Sequence, residues 1–190
     1  MKLWLVRHAP VLLPAGLCYG ASDVDADQAL SQQTAQALAA LLPAGLPVWV
    51  SGLARAQLLA RQLQTLRPDL PPPQTDTRLN EMDFGCWEQQ AWDAIPRPAF
   101  DAWMADFAHH RFGGTESTQM VVERVAAALG DLRTALAQSA AQPEAVWISH
   151  AGVIRAAQFV AAHGASRLRG VEQWPKEAPL PGGWMTLELT

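Results

Sequence analysis

Three short segments of this chain are continuously apolar. They cover residues 3–6 (LWLV), 47–51 (PVWVS) and 145–149 (AVWIS). Continuous apolar character, without alternation, is typical of strands that are buried on both faces of a parallel sheet. The segment GGWMTLELT, residues 182–190, also has strand character and is expected to add an edge strand.

Helical periodicity alternates with these strands. Apolar positions recur at helical spacing in residues 31–42, 53–66, about 117–140 and 152–163, and Gly164 is placed to end the last of these. Strands that alternate with helices of this length favour an α/β fold with helices on both faces of a mostly parallel sheet. We therefore predict a three-layer α/β/α domain that covers residues 1–190.

The alternation breaks between about residues 68 and 114. This part begins with the turn-rich segment RPDLPPPQ and continues with a stretch rich in tryptophan and phenylalanine. We expect it to form a cap-like insert over the carboxyl edge of the sheet. Trp87, Trp92 and Trp103 lie in it, and they either pack the core of the cap or form an apolar wall for a substrate ring.

Composition narrows the class of protein. Hydrophobic residues make up 49% of the chain and charged residues 17%, as in globular domains. A formal net charge of −4 argues against a general nucleic-acid surface. No apolar run suits a membrane span or a secretory signal, so we expect a cytoplasmic protein that does not associate with membranes. Cys18 and Cys86 are expected to be reduced thiols.

Arginine and histidine side chains follow each buried strand. Arg7 and His8 end the first strand, Arg55 comes shortly after the second, and His150 ends the third. Because ligands of open α/β sheets bind beyond the carboxyl ends of the strands, we expect these side chains to meet at one edge. Arginine presents paired N–H donors to phosphate, and a neutral histidine can attack phosphorus. The sequence therefore predicts a phosphoryl site.

A phosphoryl transfer from an ester also requires a proton for the leaving oxygen, which a carboxylic acid opposite the nucleophile can supply. Glu81, in the segment LNEMDFGCWE, is the candidate. Asp83 and Glu88 are the competing choices.

Five blocks of the sequence resemble, in order, the motifs of the histidine phosphatases, the phosphoglycerate-mutase-like superfamily. The blocks are LVRHAP, SGLARAQLLA, LNEMDFGCWEQQAWDAI, GGTES and ISHAGVIR. The resemblance implies a phosphoglycerate-mutase-like fold and the following roles: His8 as the phosphorylated nucleophile, Glu81 as the proton donor, Arg7 and Arg55 as ligands of the phosphoryl oxygens, and His150 as both a phosphate ligand and a catalytic group. It also implies hydrolysis without a metal or a cofactor.

The chain departs from the family's motifs at uncharged positions. Ala9 and Ala151 stand in place of glycines, Pro10 in place of Glu or Gln, Pro14 in place of Asn, and Gly52 in place of Pro. These departures bear on the finer phosphate contacts and on the loop of residues 10–20, and they remove no charged catalytic group.

The resulting functional hypothesis is a phosphomonoester hydrolase of the histidine acid phosphatase type. It would act on a small soluble phosphorylated metabolite through a phosphohistidine intermediate. The MDFGCWEQQAWDAI block looks most like the α-ribazole phosphatases of cobalamin assembly, which makes α-ribazole 5′-phosphate a candidate substrate. The alternatives are a phosphoglycerate mutase-type phosphoryl transferase and a non-catalytic phosphate-binding module. The sequence leaves the oligomeric state open.

Other polar residues have structural interpretations. His109, His110 and His163 are expected at helix C-termini, with a substrate role as the alternative for the first two. Ser117 is expected to cap the long helix, unless Thr115 or Glu116 contacts the phosphoryl site. The segment DVDAD, residues 23–27, lacks the glycine and glutamate of a calcium loop and is interpreted as a solvated turn.

Overall fold

The computed structural model of this protein describes residues 1–137, 143–164 and 167–189. Within them, five strands form one sheet in the order β3-β2-β4-β1-β5. The strands are β1 (Lys2–Arg7), β2 (Val48–Val50), β3 (Gln74–Thr75), β4 (Glu144–Ser149) and β5 (Trp184–Glu188). The first four run parallel, and β5 pairs antiparallel with β1 at the edge. The predicted mostly parallel sheet and its added edge strand are confirmed.

Five α-helices accompany the sheet in the described residues: α1 (Gln28–Leu41), α2 (Ala54–Leu66), α3 (Arg97–Ala105), α4 (Thr118–Ala137) and α5 (Ala151–His163). Of the long helix predicted over 117–140, residues 138–140 lie outside the described residues. No helix in the described ranges is long and apolar enough to cross a bilayer.

The two faces of the sheet are covered by different helices. On β4, Ala145 and Trp147 belong to a buried cluster with side chains of α4 and α5, whereas Val146 and Ile148 belong to a second cluster with side chains of α1 and α2. Side chains alternate between the faces of a strand, so a strand covered on both sides must be apolar at every position. The fold is therefore the predicted three-layer α/β/α arrangement.

The aspartate-rich segment before α1 does more than form a solvated turn. Asp27 accepts a hydrogen bond from the Leu30 N–H at 2.9 Å and caps α1, which consequently begins at Gln28, earlier than predicted. Asp23 accepts a hydrogen bond of 2.6 Å from the Ala54 N–H in the first turn of α2. The interpretation as a solvated turn is incomplete, because two of the segment's carboxylates also accept hydrogen bonds from helix N-termini.

The stretch from about 68 to 114 contains elements that the sequence pattern did not predict. Strand β3 and helix α3 both lie in it. Its aromatic side chains pack together around Phe112, which is fully buried, and Trp103 stacks on Phe112 with ring centroids 4.5 Å apart. This aromatic cluster gives the stretch a core of its own. Its description as a cap-like insert into a single domain stays a prediction.

Candidate active site

The predicted residues converge at one edge of the sheet. Arg7, His8, Arg55, Glu81 and His150 all line a single cavity of about 280 Å³. The remaining lining consists of Leu17, Tyr19, Phe84 and Trp92. The parallel register explains the meeting, because β1 and β4 end side by side, with Arg7 paired to Ser149. The next residues are the two histidines, whose ring centroids lie 5.0 Å apart.

His8 is held as a neutral imidazole. Its Nδ1 lies 2.7 Å from the Ala9 carbonyl oxygen, and since a carbonyl only accepts, Nδ1 carries the proton. Burial, together with the charges of Arg55 and Arg7, lowers the pKa of His8 to about 3. Nε2 therefore keeps a lone pair at neutral pH, as a nucleophile requires.

The guanidinium of Arg55 is completely buried and anchored by backbone oxygens. Its Nη1 donates to the Ser22 carbonyl at 2.7 Å and its Nη2 to the Gly20 carbonyl at 2.6 Å. Its Nε donates to Nδ1 of His150 at 3.2 Å. These bonds fix the plane of the guanidinium against the cavity, and its other N–H groups are left for an anion.

His150 uses both ring nitrogens within the protein. Because Arg55 donates to Nδ1, the ring proton lies on Nε2, which donates to Ser51 Oγ at 2.8 Å. Ser51 Oγ in turn donates to Asn80 Oδ1 at 2.9 Å. Burial, followed by the charges of Arg55 and His8, lowers the pKa of His150 well below its ordinary value. Contact between a His150 nitrogen and a phosphoryl oxygen would require exchange of one of these bonds.

Arg7 retains an unsatisfied donor. Its Nη1 donates to the Pro179 carbonyl at 3.0 Å. Its Nε is buried and has no hydrogen-bond partner among the described residues. A buried donor without a partner is costly, and an oxyanion bound in the cavity would relieve that cost.

The three candidate carboxylates occupy different surroundings. Glu88 accepts hydrogen bonds from the N–H groups of Gly20, Ala21, Ser22 and Phe84 and from the Ser22 hydroxyl. Burial pushes the pKa of Glu88 upward, but these hydrogen bonds outweigh burial and hold the pKa below its ordinary value. Asp83 accepts from the Gly85 N–H at 2.7 Å, and neither Asp83 nor Glu88 lines the cavity.

Glu81 is the carboxylate that faces the two histidines. Its Oε1 accepts from the Met82 N–H and its Oε2 from the Gly152 N–H, both at 3.0 Å. Two backbone donors on different elements fix the orientation of the carboxyl group. Each oxygen retains a further lone pair, so the group can hold or release a proton within the cavity.

The sequence profile of the histidine phosphatase superfamily (branch 1) matches residues 3–170. The chain belongs to this superfamily. The matched span includes every residue of the cavity described above, and the resemblance drawn from the five sequence blocks is confirmed.

Solved structures agree with this histidine phosphatase fold. Mycobacterial glucosyl-3-phosphoglycerate phosphatase Rv2419c superposes with a TM-score of 0.81 at 22% identity, covering 97% of this chain and 88% of that one. An α-ribazole-5′-P phosphatase-like protein from Escherichia coli K-12 gives a TM-score of 0.74 at 26% identity, with coverages of 98% and 89%. TTHB049 from Thermus thermophilus gives 0.69 at 24% identity, with coverages of 99% and 94%. A comparison with curated protein sequences gives no match.

Other predicted residues of this histidine phosphatase lie away from the cavity lining. Ser117 Oγ accepts from the Met120 N–H at 3.3 Å, which confirms the expected cap of α4. Glu116 pairs with Arg124 at 2.7 Å instead of entering the cavity. Helix α3 ends at Ala105, four residues before His109, so the expected position at a helix C-terminus is wrong for His109 and His110. His163 is the last residue of α5, as expected.

The two residues that hold His150 from behind the cavity, Ser51 and Asn80, were not identified from the sequence. The hydrogen bonds from His150 through Ser51 to Asn80 link three chain segments, and strand-end reasoning selected the histidine alone. A usable signal was present, because Ser51 ends a buried strand and Asn80 immediately precedes Glu81.

Glu81 contacts α5 at Gly152. A substitution at this position is expected to change the rate without lowering stability. A Cβ at this position would collide with the Glu81 carboxylate, a flexible group that can rotate away. We expect Gly152→Ala to lower kcat by about tenfold to a hundredfold through displacement of that group. The free energy of unfolding should hold or rise, because alanine favours helix. Initial rates and urea denaturation measure the two effects.

Gly130 in α4 provides the matched control, since a Cβ there meets no atom within 4 Å. Gly130→Ala should raise stability and leave the rate unchanged. A Gly152→Ala enzyme with the wild-type rate would show that the position of the Glu81 carboxyl does not limit turnover.

Proposed function

We propose that this protein hydrolyses phosphomonoesters of small soluble metabolites through a phosphohistidine intermediate. The observation that carries the proposal is the state of His8. It is a neutral imidazole whose proton is fixed on Nδ1, in a cavity that also contains two arginines and a carboxyl group. Membership of the histidine phosphatase superfamily supports the same activity.

In the first step, Nε2 of His8 attacks phosphorus while Arg7 and Arg55 bind the phosphoryl oxygens. The N–P bond forms as the bond to the leaving oxygen breaks, and Glu81 transfers its proton to that oxygen. His8 then carries the phosphoryl group, and its Nδ1 proton remains directed at the Ala9 carbonyl.

In the second step, water attacks the phosphohistidine. Glu81, now ionised, accepts a proton from the water, the N–P bond breaks, and inorganic phosphate leaves with His8 and Glu81 restored. His150 is proposed to contribute through its hydrogen bond with Arg55, which sets the orientation of the guanidinium.

The first specific substrate to test is α-ribazole 5′-phosphate. The MDFGCWEQQAWDAI block and the 26% identity to the Escherichia coli α-ribazole-5′-P phosphatase-like protein support this choice. A cytoplasmic setting for the reaction remains part of the proposal.

The test is phosphate release from a panel of phosphomonoesters that includes α-ribazole 5′-phosphate and 3-phosphoglycerate. We expect release from at least one ester, with multiple turnovers and no added metal. Conversion of 3-phosphoglycerate to its 2-isomer without release would replace hydrolysis by phosphoryl transfer. Binding of inorganic phosphate with neither reaction would leave a binding module and overturn the proposal.

A further inference from the structure

A second cavity, of about 450 Å³, adjoins the phosphoryl cavity, and we call it the groove. The two cavities share Glu81 and Phe84 as lining residues. Because Glu81 borders both cavities, a leaving oxygen that takes the Glu81 proton lies next to the groove. The volume is within the range of pockets that hold ring-sized ligands and exceeds the needs of a three-carbon acid.

The walls of the groove are mainly apolar. Four aromatic side chains from three parts of the chain line it: Phe84, Trp103, Phe107 and Trp174. Trp103 stacks on Phe107 with centroids 5.5 Å apart, and Trp174 meets Phe107 edge-on at 5.9 Å. Such packing fixes the ring orientations and gives the groove an apolar lining that suits an aromatic ring in the ligand.

Two cations interrupt this apolar surface. Arg155, one turn after Gly152 on α5, and Lys176 both line the groove. Arg155 donates from Nη2 to the Lys176 carbonyl at 3.4 Å. Among the described residues no carboxylate lies within 4.0 Å of Arg155.

The surroundings of Arg155 favour the binding of an anion. Burial lowers its pKa, and the charge of Glu81 opposes that effect from beyond ion-pair distance. During the first step of the proposed reaction Glu81 is protonated, and the opposing charge is then absent. A partly buried guanidinium without a counter-ion is unfavourable, and a carboxylate or phosphate is its best bidentate partner.

We propose that the groove binds the leaving group, and that the preferred leaving group combines a flat ring with an acidic group that pairs with Arg155. The proposal rests on the proposed function, because it needs Glu81 as the donor to the leaving oxygen. It ranks ring-bearing phosphomonoesters with a carboxylate or a second phosphate above α-ribazole 5′-phosphate, which supplies a ring and no second acid.

The experiment compares 4-carboxyphenyl phosphate with its neutral methyl ester, two substrates of the same ring size and substitution. We expect wild-type kcat/KM to favour the acid by about tenfold or more, as a charge-assisted pair would give. Arg155→Gln should abolish the preference for the acid, and Arg155→Lys should restore part of it. Arg61→Gln, at an exposed position on α2, is the control and should keep the wild-type ratio.

A binding measurement without turnover tests the groove assignment separately from the proposed hydrolysis. Calorimetric titration of the His8→Ala protein with the two compounds should show the same preference for the acid without turnover. If wild type releases no phosphate but the preference in binding persists, the proposed function and the leaving-group role both fail, and only the pairing of Arg155 with an acidic ring compound stands. Equal affinity for acid and ester, unchanged by Arg155→Gln, would overturn the groove assignment.

Discussion

Phosphate release is expected to fall by at least about 10⁴-fold in a His8→Ala enzyme, because loss of a covalent nucleophile removes the reaction path itself. The wild-type enzyme should yield a phosphorylated protein when a reaction with ³²P-labelled substrate is quenched in alkali, and the variant should not. The pKa of about 3 keeps His8 neutral through the acidic range, so protonation of this group should not reduce the rate between pH 5 and 8.

His109→Ala is the matched control, since this exposed histidine lies outside the cavity lining. It should retain the wild-type rate. His8→Gln, which preserves more of the buried volume, guards against loss of activity by unfolding, with circular dichroism as the check. A folded His8→Ala or His8→Gln protein that keeps more than a few per cent of the wild-type rate would rule out phosphohistidine at this position.

His8→Ala should also alter the pH dependence of the free energy of unfolding. The pKa of His8 falls from its ordinary 6.5 in the unfolded chain to about 3 in the fold, so between these values the unfolded chain binds a proton that the folded chain does not. His8 thus lowers the free energy of unfolding as pH drops from about 6.5 toward 3. Urea denaturation at pH 7 and pH 5 should show a smaller acid-induced loss for His8→Ala than for wild type.

Glu81→Gln is expected to reduce kcat/KM, which covers the steps up to the first phosphoryl transfer, by about 10²- to 10⁴-fold on an alkyl phosphate, the range of general acid–base catalysis. The loss should be much smaller on 4-nitrophenyl phosphate, because its phenolate leaves without a proton. This difference between leaving groups separates proton donation from a merely structural role. Both substrates are followed by initial rates well below KM, because the rate at saturation also contains the hydrolysis of phosphohistidine, in which Glu81 acts as the base for either substrate.

Glu188→Gln, at an exposed position on β5, is the control and should behave as wild type on both substrates. Equal losses on the alkyl and nitrophenyl esters would show that Glu81 does not protonate the leaving oxygen. Asp83 or a water molecule would then be the group to test.

Strand ends were the part of the site that sequence could place. The buried strands can be recognised in the sequence as continuous apolar runs. Helices cover both faces of the sheet, and every position of β4 from Ala145 to Ile148 is therefore apolar. Once these strands are known to be parallel neighbours, Arg7, His8 and His150 must share an edge. That inference needs no side-chain detail.

The sequence alone could not show which of the three candidate carboxylates lies in the cavity. Glu81, Asp83 and Glu88 lie within eight residues, in an irregular stretch where no periodicity indicates direction. Glu81 was favoured by family resemblance, and its place in the cavity depends on amides that it meets through the fold. Strand β3 was missed for a related reason, since its two residues are exposed and carry no apolar signal.

The hydrogen bonds that anchor Arg55 determine which sequence changes the loop before it can tolerate during evolution. Ser22 and Gly20 hold the guanidinium through carbonyl oxygens, and Glu88 holds the same loop chiefly through amide N–H groups. Every residue type supplies a carbonyl oxygen, so the anchor places few demands on side-chain identity. Gly20 is the exception, because a Cβ there would collide with the Met82 carbonyl. The exposed positions Leu12, Pro14 and Ala15 of the preceding loop are thus open to substitution between lineages, while the backbone bonds that position Arg55 stay in place.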